Sequence, residues 1–402
     1  MRRVVKVSRI RIIITIIVVV LTTLLTGCTG KEPNEIAYVV ALGIDSTDDD
    51  NYKITIQYAN TTQISGGASE SGGKAGSEIV DNVTIEAPNI YAGVGLANNI
   101  VSKSFSMSHA KLIVFSKEIA EKGVKDMIET LVRSEEIRPD VFIAVANTTA
   151  NDYLTSVNPE MEVNPAQYYQ LIYQKNQLVG IPDGQLREFF TGLYTDNYDS
   201  ILPVAGVIEG AGGNSQNDDK GQSKDSQNEG SEGSSESLDS FESKNSDENE
   251  KEKDAEKNTS KYEYDIKNYV GGETAIEKKN KAEAIGAAVF EKDKMVGELG
   301  EVETEICKML KGDYTYSYLT YYNNDTPDIP ITVKTTQQKK PKYKIDTDKK
   351  TVDIELYIES DLYSLPADYN VENKIEDFER DVANYTSSAC TEFINNFTKK
   401  YN

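Results

Sequence analysis

Three cysteines and one histidine are the only thiols and imidazole in this 402-residue chain. Catalysis at neutral pH most often recruits His, and zinc sites draw on Cys and His, so Cys28, Cys307, Cys390 and His109 are weighed first. Cys28 has the most informative surroundings. Arg2, Arg3, Lys6, Arg9 and Arg11 form a basic head, Ile12 to Leu25 form an apolar run broken only by threonines, and Leu25-Thr26-Gly27 place small residues directly before the thiol. Basic head, short apolar segment and small-residue cleavage site are the order of a bacterial secretory signal. The chemistry expected is acylation of the Cys28 thiol and cleavage of the bond before it.

The Leu-Thr-Gly-Cys ending is similar to a lipobox, the site at which bacterial lipoproteins are lipidated, with palmitate among the chains used. The competing reading is an uncleaved membrane helix, which needs about 20 apolar residues, more than this run supplies. Residues 1–27 are therefore read as a signal peptide and 28–35 as a lipidated tether. The rest is expected at the extracytoplasmic face of a membrane, held by acyl chains.

The other chemistry-bearing residues give weaker signals. His109 stands at the mouth of an apolar run and reads as structural. With no second histidine and no paired cysteines at ligand spacing, no zinc site is expected. Cys307 and Cys390 lie in helix-like patterns and read as free buried thiols, with a single bridge between them left open. Gly93-Val94-Gly95 lacks the third glycine of a dinucleotide fingerprint, since Asn98 stands in its place. Asp48-Asp49-Asp50 lacks the glycine and distal glutamate of a calcium loop and reads as a hairpin turn. No catalytic, cofactor or metal residue is assigned. Tyr314, Tyr316, Tyr318, Tyr321 and Tyr322 are the densest aromatic cluster. They read either as an interaction face or as a strand whose first three tyrosines fill a core.

Composition narrows the partners. From Cys28 onward, 38 basic residues face 66 acidic ones. Nucleic acid and anionic lipid both require clustered Lys and Arg, so this balance argues against either as a partner surface. Residues 211–260 hold 14 acidic and six basic side chains and almost nothing apolar, the composition of a disordered acidic insertion.

The elements that must position these residues follow from periodicity. Ile36–Leu42 reads as a buried strand, and Tyr52, Ile54, Ile56 and Tyr58 alternate beyond a polar turn, which predicts a hairpin. A Gly/Ser-rich loop at 65–77, a strand at 83–85 and a helix opened by Pro88 come next. Leu112–Phe115, a helix from Ser116 to Gly123, a second helix and Val141–Val145 alternate as an α/β unit. Helices containing Tyr168 to Leu178 and Gln185 to Leu193 precede Ile201–Val204, which reads as an edge strand because of Pro203. Past the insertion come a hairpin at 285–299, a helix at 301–310, strands at 314–322, 331–334, 343–346 and 352–359, and a long helix. On that helix Ile375, Phe378, Val382, Tyr385, Ala389, Phe393 and Phe397 share one face.

The order of these pieces resembles the Ger(x)C family, the C subunit of spore nutrient germinant receptors. The resemblance is carried by the lipobox and by Ile36 to Asp45 ending in Gly-Ile-Asp. It continues through Ser108-His109-Ala110-Lys111 and the strand after it, then Glu135-Glu136-Ile137-Arg138 with Val141 to Ala146. Gly286 to Phe290, Asp293 to Leu299 and the helix to Gly312 complete it. The insertion at 209–262 is longer than family members carry. Members also continue past the long helix, so a shortened or truncated last domain with an open sheet edge is expected.

The resulting expectation is a multi-domain α/β (α+β mixed) protein with mixed β-sheets flanked by helices and a long amphipathic C-terminal helix. An N-terminal domain covers 36–208, and C-terminal domains cover 263–402, divided into a hairpin region 263–300 and a last domain 301–402. The resemblance implies a non-enzymatic, lipid-anchored subunit at the inner membrane of the spore. It further implies two integral-membrane partner subunits, with the nutrient germinant bound by the complex rather than by this subunit alone. The alternative is a solute-binding lipoprotein of an uptake transporter.

Overall fold

In the computed structural model, the residues described are 11–19, 35–49, 51–59, 80–158, 162, 165–174, 180–208, 268–274, 280–322, 330–365 and 374–401. Cys28, the loop at 65–77, Leu178 and the acidic insertion lie outside them. Residues 11–19 are helical. No helix among the described residues is long and apolar enough to cross a membrane.

The chain builds a nine-stranded mixed sheet around a parallel centre. Strand β1 (Ile36–Ser46) pairs in parallel with β5 (Leu112–Ser116), β5 with β6 (Phe142–Ala146), and β6 with β7 (Ile201–Val207). On one side the hairpin partner β2 (Tyr52–Ala59) and then β3 (Val80–Ala87) add antiparallel strands, and β4 (Ser104–Ser106) lies alongside β1. On the other side β8 (Ala282–Glu291) and β9 (Lys294–Leu299) add an antiparallel hairpin. Every residue of β5 and β6 is buried, which is why both read as unbroken apolar runs.

Alternate side chains feed two cores. Ile113, Phe115, Ile143 and Val145 face α1 (Ile90–Ala97), α2 (Lys117–Lys122), α3 (Lys125–Val132) and α6 (Leu186–Leu193). Leu112, Val114, Phe142 and Ala144 face α4 (Ala150–Ser156) and α5 (Pro165–Gln174). The predicted alternation of helix and strand is thus a layered sheet covered on both faces. Helix α1 starts at Ile90 rather than Pro88, because the Asn89 side chain accepts the Ala92 N–H at 2.8 Å and caps it.

Two strand assignments are corrected. Strand β7 lies inside the sheet between β6 and β8, not at an edge. Pro203 is accommodated because pairing with β8 shifts register between Pro203 and Ala205, and β6 bonds only from Val204 onward. The same sheet also takes in strands that follow the acidic insertion in sequence. Strands β8 and β9 extend it, and Gly271 packs on Gly206 so closely that a Cβ there would lie 2.0 Å from the Gly271 carbonyl carbon.

A second, three-stranded antiparallel sheet follows α7 (Glu301–Lys311). Its order is β10 (Tyr316–Tyr321), β11 (Ile331–Asp346), β12 (Thr351–Ser364). The two short strands expected at 331–334 and 343–346 are one, because irregular pairing between Gln337 and Lys342 absorbs Pro341. Helix α8 (Ile375–Tyr401) straps the sheets together. Phe378, Val382 and Tyr385 pack on Tyr321, Ile331 and Val333, while Phe393 and Phe397 reach the β8–β9 cluster of Ala287, Val289 and Leu299. Each such apolar side chain is worth roughly 1.5–3 kcal/mol when fully buried.

Candidate functional site

The Gly-Ile-Asp triplet has a structural role. A Cβ on Gly43 would lie 3.1 Å from Ala150 Cβ, so the glycine lets α4 approach β1 closely. Asp45, buried at the end of this contact, accepts the Ala150 N–H at 2.6 Å and the Asn151 N–H at 3.0 Å. Burial raises its carboxyl above the usual range, and the two amide bonds oppose that rise. Glu136 accepts the Met107 N–H at 2.7 Å, just before the Ser108–Lys111 stretch.

Beneath α4 and α5 the polar groups are paired with one another. Tyr169 donates to Gln57 Oε1 at 2.6 Å, Gln57 donates to the Leu154 carbonyl at 2.9 Å, and the Tyr153 and Tyr173 hydroxyls meet at 2.9 Å. Burial pushes all three phenols up, so they stay protonated. This network fixes a core and presents no open nucleophile.

His109 is exposed just before β5, with its ring edge-on to Tyr38 at 4.9 Å. Cys307 and Cys390 are free. Burial raises both thiols, Cys390 to about 11, which suppresses thiolate chemistry. Among the described residues no group of three or more His, Cys, Asp or Glu side chains could hold a metal ion. Gly93 and Gly95 lie within α1, where Gly93 packs on Ile54. The Asp48–Asp49 segment joins β1 to β2, with Thr47 donating to the Asp49 and Asn51 carbonyls.

The tyrosine cluster divides between core and surface. Ser317, Leu319 and Tyr321 turn inward, so Tyr316 and Tyr318 turn outward, and only Tyr314 and Tyr321 are buried. The expectation that Tyr314, Tyr316 and Tyr318 fill one core is corrected accordingly. Tyr318 is 49% exposed and meets Tyr363, 58% exposed, edge-on at 5.1 Å, while Lys334 sits 4.7 Å above the Tyr316 ring. This outer face carries the aromatic composition enriched at protein interfaces.

A second feature has no local mark in the sequence. A cleft of about 250 Å³ between α6, β7 and α7 is lined by Asp183, Glu188, Lys308, Lys311, Asp313 and Tyr198, among others. Lys308 is buried and donates to the Ile181 carbonyl at 3.0 Å, and burial lowers its ammonium below the usual range. Burial also raises Asp183 and Glu188. The cleft brings carboxylates and ammonium groups from α6, α7 and the segments beside them to one place.

Residues 30–207 match the family described as "Spore germination protein N-terminal domain". Residues 285–402 match "Spore germination B3/ GerAC like, C-terminal". Among curated proteins, the chain is 26% identical to Spore germination protein KC of Bacillus subtilis over 174 residues, covering 40% of this chain and 42% of that protein. It is 28% identical over 145 residues to Putative spore germination protein YfkR of the same organism, covering 36% and 37%. These matches span about two-fifths of either relative. A search of solved structures finds the crystal structure of the GerBC protein, 15% identical, with a TM-score of 0.42 over 88% of this chain and 80% of that one. With both family domains matched in order over most of its length, the chain belongs to the GerAC-like spore germination proteins, the Ger(x)C family.

Proposed function

We propose that this protein is a lipid-anchored, non-enzymatic subunit of a spore nutrient germinant receptor. The observation that carries the reading is the ordered match of both family domains, at 30–207 and 285–402. In this reading Cys28 is acylated and holds the folded part at the outer face of the spore's inner membrane. Two integral-membrane subunits complete the receptor, and the nutrient is bound by the complex. Anchoring places the docking faces at high effective concentration near their partners. The tyrosine face of the second sheet supplies a surface suited to them, and the satisfied polar core and raised thiols suit a coupling part rather than a catalyst.

The test is germination of spores lacking this chain. They should respond poorly to nutrients yet normally to chemical triggers that bypass receptors, and an unchanged nutrient response would refute the reading. Cys28→Ala should leave an unacylated precursor, and an intact, lipid-free wild-type N-terminus would refute the anchor. The charged cleft favours a second reading, a solute-binding lipoprotein. Micromolar binding of amino acids or sugars with a rise in Tm would support that rival.

A further inference from the structure

Helix α1 is apolar on both sides. Ile90, Gly93, Val94 and Ala97 are buried against the first sheet, while Tyr91, Ala92, Gly95 and Leu96 face solvent. Ala92, Leu96 and Ile100 follow at spacings of four, the last in the hydrogen-bonded turns that close the helix. Leu96 is 49% exposed and Ile100 66%, and a Cβ placed on Gly95 would meet nothing within 4 Å. A surface helix ordinarily carries charged or polar residues on its outer face, and one that is apolar all round is ordinarily buried.

The stretch around this helix is equally unlike the rest of the chain. Residues 87–102 contain no Asp, Glu, Lys or Arg, although 27% of the chain is charged, and the nearest charges in sequence, Glu86 and Lys103, lie beyond both ends of the run. Single exposed aliphatics are common on protein surfaces and need no explanation. Leu96 and Ile100 on adjacent turns of an uncharged stretch form a patch instead, one that gives up no charge hydration when it is covered.

The place of the patch in the fold says what covers it. Strand β4 begins four residues after Ile100 and pairs with the start of β1, Ser104 beside Ile36 and Phe105 beside Ala37. The Asn98 side chain accepts the Phe105 N–H at 2.8 Å and ties the end of α1 to that strand. Four residues reach at most about 14 Å, so Ile100 lies within roughly 20 Å of Ile36. Cys28 stands eight residues before Ile36, a span of at most about 29 Å. In the anchored reading, on which this inference rests, the bilayer is therefore the surface that the chain itself brings to this end of the sheet. We infer that the outer face of α1, with Ile100, is a membrane-contact surface that settles into the headgroup boundary of a phospholipid bilayer beside the acyl anchor. Tyr91 suits that depth, where an apolar ring and a wet hydroxyl are both served. The contact is apolar and needs no anionic lipid. Two attachments, acyl chain and helix face, would fix how the first sheet stands on the membrane.

The chain has no tryptophan, so Ile100→Trp supplies a single depth probe. Asp48→Trp, in the exposed turn after β1, is the reference, because the 11 residues of β1 carry it about 33 Å from Ile36. Each full chain, acylated at Cys28, is reconstituted in phosphatidylcholine vesicles that contain brominated lipid and no partner protein. Emission from position 100 should shift to shorter wavelength and be quenched, equally so with phosphatidylglycerol added or salt raised. Emission from position 48 should do neither. Full burial of an aliphatic side chain is worth roughly tenfold to a hundredfold in partitioning. Leu96→Ser, at a half-exposed position, should therefore lower the ratio of docked to undocked chain by about tenfold with little change in Tm.

Unquenched emission from position 100 in chains that float with the vesicles would overturn the inference and leave the anchor standing. So would equal quenching at position 48, quenching that requires phosphatidylglycerol or fades with salt, or a ratio unchanged by Leu96→Ser. Shielding of position 100 in spore membranes but not in lipid vesicles would assign the face to a protein partner and overturn it as well. Flotation and mass spectrometry read the Cys28 anchor separately. Should Cys28 carry no lipid, the chain from residue 28 is held on nickel-chelating lipid by an amino-terminal hexahistidine and position 100 is read again. Quenching there sustains the contact face, and its absence refutes it.

Discussion

Replacing Glu305 with glutamine should stabilise the protein above neutral pH and leave it nearly unchanged in acid. Glu305 sits on α7 against β10, where its carboxylate accepts the buried Ser317 hydroxyl at 3.0 Å. Burial, with help from the Glu301 charge, pushes its carboxyl up to about 7 from an ordinary value of 4.5, while Ser317 and Lys308 hold it back. The folded chain therefore keeps this proton to higher pH than the unfolded chain does. Stability from this group is full below 4.5 and is lost progressively as pH rises to about 7. At about 1.4 kcal/mol per pH unit, that window amounts to about 3 kcal/mol. Glutamine retains an acceptor for Ser317 and has no proton to lose. Thermal unfolding of both forms between pH 4 and pH 8 should show Tm values that nearly coincide in acid. They should diverge by several degrees at pH 8, with the variant higher. A gap that is constant across this range, or that narrows toward pH 8, would refute the assignment of a buried, raised carboxyl.

Asp45→Ala should cost about 1–3 kcal/mol in urea unfolding, because two amide donors at the start of α4 lose their acceptor. Gly43→Val should also destabilise, since its side chain would enter Leu154 and Ala150, and unchanged denaturation midpoints would refute both. Cys390, raised to about 11 by burial, should resist a thiol reagent at pH 8 in the native state and react once the chain unfolds. Rapid native labelling there would contradict the packing of α8. Tyr318→Ala with Tyr363→Ala should change stability by roughly 0.5 kcal/mol or less per site. The pair should nonetheless lower recovery of membrane partners if the outer face docks them, and undiminished recovery would clear that face of the role.

How much could be read in advance depended on whether the controlling interaction was local. Strands β5 and β6 were legible because parallel strands buried on both faces carry unbroken apolar runs. Helix α7 was legible from its acidic first turn and from Gly312 at its end, where φ is +78°. Strand β10 shows the limit. Period-two alternation separates Tyr316 and Tyr318 from Ser317 and Tyr321, but tyrosine suits core and surface alike. The face that turned inward was decided by α7 and α8. Pro203 argued against an interior strand, and irregular pairing accommodated it, as it does Pro341 within β11. The charged cleft joins Asp183 and Glu188 to Lys308 and Asp313, more than a hundred residues away. No spacing rule reaches across that distance. Gly43 and Asp45 stood out as part of a family pattern, and their physical reason became visible only with α4 packed against β1.

The central claim is that this chain works as one part of a membrane-bound assembly. Affinity purification of the tagged full chain from detergent-solubilised spore membranes tests it most directly. Two polytopic membrane proteins should be recovered with it in a fixed ratio, from the wild type and not from strains lacking their genes. Recovery of the chain alone from membranes in which it is acylated at Cys28, or recovery with a transport permease and its ATPase, would contradict the account.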